Sequence, residues 1–185
     1  MIKYYDKVEQ TSDEWHSLRL EYPLTGSTSY DFLMARDPAT YVLKESNFTG
    51  NRWTQRGHDL EGVARALLSR VTGLVVHETG FVTNSLYPRS GCSPDGYTDD
   101  HLVEIKCFSK DRHLANAETV DAKIMSQVQW NMMIMEKPLG LLVFFCPDTT
   151  LEPEDRLIIK EIEPNERIQA NMKNRIEIYA RAHNA

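Results

Sequence analysis

The chemistry of this sequence rests on three charged side chains, Asp95, Glu104 and Lys106. Asp95 belongs to Ser93-Pro94-Asp95-Gly96, a composition that re-aims the backbone sharply. The segment from His101 to Cys107 reads as a strand. Strand side chains alternate between faces, so Glu104 and Lys106 point one way while Val103, Ile105 and Cys107 point the other. Two acids and an ammonium meeting at one edge of a sheet can hold a hard divalent cation and still present an amine to water or phosphate. An isolated Glu-x-Lys describes many solvated hairpins. The turn upstream and the apolar strand around it set this one apart.

Several elements must position these groups. Thr11, three residues before Glu14 in capping-box spacing, starts a helix with Trp15, Leu18 and Tyr22 on its apolar side and Arg19 among them. A small-residue turn follows and leads into a helix near Ser29 to Ala35. Its start, with the Ser27 or Thr28 hydroxyl, can hold a phosphate, although ordinary N-capping explains the same residues. Asp37-Pro38 opens a helix to about Glu45, and 47–51 is a polar loop. A longer helix from Arg52 to Thr72 ends at Gly73. Leu60, Val63, Ala64, Leu67, Leu68 and Val71 form its core stripe, with Glu61 beside it.

Leu74 to Glu78 and Phe81 to Thr83 read as a hairpin about Thr79-Gly80, and Arg89 to Cys92 as the strand entering the key turn. Ser109 to Glu118, with Lys110, Arg112 and His113, reads as loop or broken helix. Asp121 caps a helix to Met135, with Ile124, Val128, Met132 and Met135 spaced for burial and Gln127 on the adjoining face. Gln129 falls nearly opposite Gln127, so only one of the two can face the acids. Gly140 to Cys146 suits the sheet centre, and Arg156 to Ile162 should lie beside it. Pro164 starts a last helix with Ile168, Met172, Ile176 and Tyr179 inward. The order predicts a single domain over 1–185, a central mixed α/β sheet flanked by helices.

Bulk properties narrow the classes. The formal net charge of −6 argues against a module that coats nucleic acid indiscriminately, but leaves room for one positive channel. Arg52, Arg56, Arg65 and Arg70 share a helix, and Lys106, Lys110 and Arg112 cluster after the key strand. Three widely spaced cysteines, Cys92, Cys107 and Cys146, fit neither a disulfide framework nor a four-cysteine metal site. No run is long enough to span a bilayer as a helix, and the N-terminus carries no apolar signal. A cytoplasmic location is expected.

Cys92 to Gly96 followed by Glu104 to Cys107 matches the PD-(D/E)xK nuclease signature and resembles the phage lambda-type exonucleases, YqaJ-like viral recombinases that serve recombination. Trp15-His-x-Leu-Arg19-Leu with its Thr-x-Ser turn, the Gly57-x-x-x-Glu61 helix and Ser-Gln127-Val-Gln-Trp130 follow the same family in the same order. Two departures stand out: Glu21 replaces the glycine expected after Arg-Leu, and one residue is inserted before Thr25.

The resemblance implies a restriction-endonuclease-like fold and metal-dependent phosphodiester hydrolysis. Asp95, Glu104 and the Ile105 carbonyl would hold Mg²⁺, with Glu61 anchoring a second ion and Mn²⁺ a possible substitute. Lys106 would position or deprotonate the attacking water, and Gln127 would orient it or Lys106. Arg19 and Ser27 would bind the 5′ phosphate and Arg112 a DNA phosphate. It further implies 5′-to-3′ digestion of one strand at double-stranded DNA ends, a homotrimeric ring, a single-strand annealing partner and a phage or prophage gene in a bacterial host. The rivals are an endonuclease or resolvase of the same fold and a DNA-binding phage accessory protein without activity.

Overall fold

The computed structural model describes residues 1–43 and 52–183. Strand β1 (Ile2–Tyr4) is followed by helices α1 (Asp13–Glu21), α2 (Ser29–Met34) and α3 (Arg52–Thr72). Strands β2 (Val82–Asn84), β3 (Gly91–Cys92), β4 (Gly96–Tyr97) and β5 (His101–Cys107) come next. Helices α4 (Lys110–Glu118) and α5 (Ala122–Met135) lead to β6 (Leu139–Phe145), β7 (Leu157–Ile162) and α6 (Glu166–His183).

Two sheets result, ordered β1-β2-β3 and β4-β5-β6-β7. The larger is mixed. β5 runs parallel to β6 in the register Glu104↔Leu142 and Lys106↔Phe144, while β4 and β7 pair antiparallel. A parallel pair needs a long crossover, and α4 with α5 supplies it. Alternation along β5 divides the core. Leu102 joins Val128, Trp130 and Met132 of α5, together with Met172 and Ile176 of α6. Val103 and Ile105 join Ala64 and Leu68 of α3. The sheet is thus covered on both faces, by α5 and α6 on one and by α3 on the other.

α5 is the chief buttress. Ile124, Val128, Met132 and Met135 are buried as their spacing predicts, and Trp130 is fully buried with its Nε1 donating to Gly91 O at 3.0 Å. Truncating a tryptophan so placed costs about 3–5 kcal/mol. Gly73 closes α3 with φ +74°, a left-handed conformation that glycine adopts without strain.

Several boundaries differ from those the sequence suggested. Ser12, not Thr11, caps α1, accepting from Trp15 N, because Thr11 itself takes a positive φ of 72°. Asp37-Pro38 makes only a single 3₁₀ turn, Pro38–Thr40, after which the chain extends. Glu45 and the loop 47–51 lie outside the described residues, as do the side chains of Arg52 and Arg56.

Val63 and Val71 are 48% and 67% exposed, so the buried stripe of α3 is narrower than expected and centres on Ala64 and Leu68. The hairpin about Thr79-Gly80 is absent. His77 makes one bridge to Tyr97, whereas β2 pairs with β1 and β3, a partnership between chain ends that no local turn signal announces. Residues 110–118 form α4, one regular helix and neither a loop nor a broken helix.

Candidate active site

Glu104 and Lys106 stand on one face of β5, and Lys106 Nζ donates to Glu104 Oε1 at 2.5 Å. Glu104 is 1% exposed and the Lys106 side chain 23%, so the pair lies at the floor of the site with the amine nearer solvent. Asp95 reaches the same strand from the turn after β3. Its Oδ2 accepts from the backbone N–H of Ile105 at 2.6 Å, which lies between the other two members of the motif. The three groups predicted to converge do so.

Charge governs this cluster. Burial pushes the Glu104 carboxyl up, Lys106 pulls it down, and Asp95 and Glu61 push it up again, leaving it at about 7. Burial would lower the Lys106 ammonium, but Glu104, Asp95 and Glu61 together raise it above its usual range. Lys106 is therefore held as a cation. Glu61, half-buried on α3, contributes the smallest of the fields at both groups. Cys92 is buried behind them, and burial with Glu104 pushes its thiol well up, so it is no nucleophile.

Neighbouring elements hold the turn in place. Arg65 Nε donates to Asp95 O at 2.9 Å while its Nη1 pairs with Glu78 at 2.8 Å. From the N-terminal side, Trp15 Nε1 donates to Ser93 Oγ at 2.8 Å, and Gln10 Nε2 to Pro94 O at 3.1 Å. Trp15 also carries Arg19 over its ring, 4.5 Å from the centroid, and Arg19 Nη2 donates to Ser27 Oγ at 3.1 Å. Arg19 and Ser27, the two residues that the resemblance assigns to the 5′ phosphate, are in direct contact, with Ser27 exposed. They connect through one indole to the turn that bears Asp95.

Gln127 and Asn131 lie one turn apart on the same side of α5. Both pack against Gly26, where an added Cβ would collide with Asn131 Oδ1 and lie 3.1 Å from Gln127 Cγ. The bond to the acids comes from Asn131, whose Nδ2 donates to Glu104 Oε2 at 3.0 Å. Gln129 is committed elsewhere. It donates to Glu163 O at 2.8 Å and accepts from Asn165 N at 2.7 Å, fixing the entry to α6. Arg112 is exposed on α4, with its guanidinium 4.3 Å from the Phe108 ring centroid.

The sequence marks Arg65 only as one of four arginines on a helix, and it announces neither its bond to Asp95 nor the roles of Asn131 and the Trp15–Ser93 link. Asn131 had one available signal, its four-residue spacing from Gln127 on a helix. The other two are contacts between residues far apart in sequence, and no local pattern encodes them.

Among the described residues, no three carboxylate, imidazole or thiol groups converge into a closed cation cage. What the site offers instead is the Asp95 and Glu104 carboxylates, the β5 backbone and a concentration of buried negative charge. It also includes a buried Asn131 Oδ1 with no hydrogen-bond partner among the described residues. This donor set fits a small hard ion that keeps several waters, and not one that demands a full shell of protein oxygens.

Fold and site together define a nuclease of the PD-(D/E)xK class. The chain belongs to the YqaJ-like viral recombinase domain family, which matches residues 14–138. Its fold is similar to that of an alkaline exonuclease, LHK-Exo, from Laribacter hongkongensis, at TM-score 0.77 and 24% identity over 94% of this chain and 93% of that one. LHK-Exo in complex with dAMP is similar at TM-score 0.74 and 25% identity, covering 94% and 95%. A phage-related exonuclease from Haemophilus somnus 129PT shares the fold at TM-score 0.59 and 17% identity, covering 95% and 87%. No curated protein matches the sequence.

Proposed function

We propose that the chain is a Mg²⁺-dependent exonuclease that digests one strand of duplex DNA from its 5′ end and leaves a 3′ single-stranded tail for strand annealing. The observation that carries this reading is the convergence of Asp95, Glu104 and Lys106, with Asp95 bonded to the peptide between the other two. Asp95, Glu104 and the Ile105 carbonyl would hold one Mg²⁺, and Glu61 a second or its waters. Mn²⁺ has the same donor preferences. Bound there, the ions would acidify water and offset charge on the scissile phosphate.

The residues of the chain do the remainder. Lys106 is held protonated by its acidic neighbours, so it acts by donating hydrogen bonds and positive charge to the attacking water or the phosphate, and not as a base. Gln127, on the site-facing side of α5, orients that water or the Lys106 amine. Arg19 and Ser27 form the hook for the terminal 5′ phosphate: an exposed hydroxyl beside a guanidinium gives a charged, directional pair of donors. Binding at this hook fixes which bond lies over the acids, and that is the source of the 5′ polarity. The dAMP bound by LHK-Exo is a mononucleotide, the kind of product such end-wise cutting releases. Arg112 supports the duplex by a phosphate contact.

A trimeric ring, an annealing partner and action in the cytoplasm of a bacterial host complete the proposal, on the strength of family membership. No helix among the described residues is long and apolar enough to cross a membrane. The test compares a linear duplex labelled at both ends with a relaxed, covalently closed circle, with Mg²⁺ and with chelator. Mononucleotides released from 5′ ends and an intact circle are expected. Cutting of the circle at a comparable rate would replace the exonuclease with an endonuclease of the same fold.

A further inference from the structure

Asn131 is 1% exposed on α5, inside a helix whose neighbouring positions Val128, Met132 and Met135 are buried and apolar. Its Nδ2 donates to Glu104 Oε2 at 3.0 Å. Its Oδ1 is buried with no hydrogen-bond partner among the described residues and lies where a Cβ on Gly26 would have to go. A buried amide oxygen without a donor is a standing cost, and an apolar residue at this position would avoid it. The cost is borne at one place, next to the most deeply buried acid of the site.

Glu104 is gripped from both ends, Oε1 by the Lys106 ammonium and Oε2 by the Asn131 amide. The two donors differ in kind. A second cation on Oε2 would neutralise the carboxylate and compete with any metal. A neutral amide fixes the direction of Oε2 and leaves its charge available. Gly26 completes the arrangement by letting the 25–29 turn approach the amide, where any larger residue would collide with Asn131 Oδ1. We infer that Asn131 is a positioning residue that sets the orientation of Glu104 for a divalent cation. The inference rests on the reading of Glu104 as a metal ligand.

Removing a group that orients a metal-binding side chain weakens metal affinity or activity about 10- to 100-fold. The experiment uses Asn131→Leu, which keeps most of the bulk, and Asn131→Ala, which only vacates volume and decides the matter should the leucine variant not fold. Mn²⁺ is titrated calorimetrically into each metal-free protein, and the Mg²⁺ concentration for half-maximal hydrolysis is measured at saturating duplex. Both quantities should weaken by about 10- to 100-fold while KM for DNA stays put. A folded variant that takes up Mn²⁺ as tightly as the parent overturns the positioning role, even if its melting temperature falls. A parent protein that binds no Mn²⁺ overturns the metal reading of Glu104 itself, which separates the two failures.

Discussion

Lys106 Nζ lies 2.5 Å from Oε1 of Glu104, two residues back along the same face of β5. This pair sits in the combined field of Glu104, Asp95 and Glu61, all three of which raise the lysine's affinity for its proton. Removing the lysine should therefore act on chemistry more than on metal binding. Lys106→Met should lower hydrolysis at saturating Mg²⁺ by about 10² to 10³, with Mn²⁺ uptake retained. Full Mg²⁺-dependent activity in that variant would remove Lys106 from the mechanism.

The same acid gives the metal-free protein a pH dependence. Burial, opposed by Lys106 and reinforced by Asp95 and Glu61, pushes the Glu104 carboxyl from the usual 4.5 up to about 7. A carboxyl raised by folding holds its proton more tightly in the folded chain than in the unfolded one. Its contribution is fullest below the unfolded value and is lost as pH climbs through the folded one. A cation at the site offsets that loss. Mg²⁺ should thus raise the melting temperature more at about pH 8 than at about pH 6, relative to EDTA. Glu104→Gln should abolish the difference, and equal gains for the parent at both pH values would contradict the assignment.

Arg19→Ala removes a guanidinium stacked on Trp15 and hydrogen-bonded to Ser27. A hydrogen bond from a charged donor is worth about 1.5–3 kcal/mol. The rate ratio of 5′-phosphorylated to 5′-hydroxyl ends should accordingly fall by about tenfold or more. Digestion of hydroxyl ends should change little. An undiminished ratio would show that the phosphate is held elsewhere.

Arg112 is exposed and rests on Phe108, a posture suited to a backbone phosphate. Arg112→Ala should weaken duplex binding and reduce the salt slope of that binding by about 1, leaving kcat intact. A binding isotherm at several salt concentrations measures both. An unchanged slope would assign Arg112 to surface solvation.

The parts of the molecule legible in the sequence are those written in local pattern. The alternation of His101–Cys107, the helical spacing of Ile124, Val128 and Met132, and the apolar run of β6 all appear where the residues put them. Asp95, Glu104 and Lys106 were visible because their types are costly in an apolar strand or a tight turn. What was not legible depends on distant partners. β1 carries no turn signal toward β2, some eighty residues on in the register Lys3↔Thr83. Val63 and Val71 fit a helical stripe yet face outward, because spacing gives a face and not what covers it. Asn131 looks like an ordinary polar interruption until Glu104 is opposite it.

The indole of Trp15 touches the hydrolytic turn across a separation of 78 residues, and the Gln10 amide does so across 84. Both brace the turn that carries Asp95. Gln10 and Trp15 therefore tie the N-terminal part of the chain to that turn. Trimming that part, or fusing a bulky partner against it, would detune the enzyme from a distance while every acid stayed in the chain.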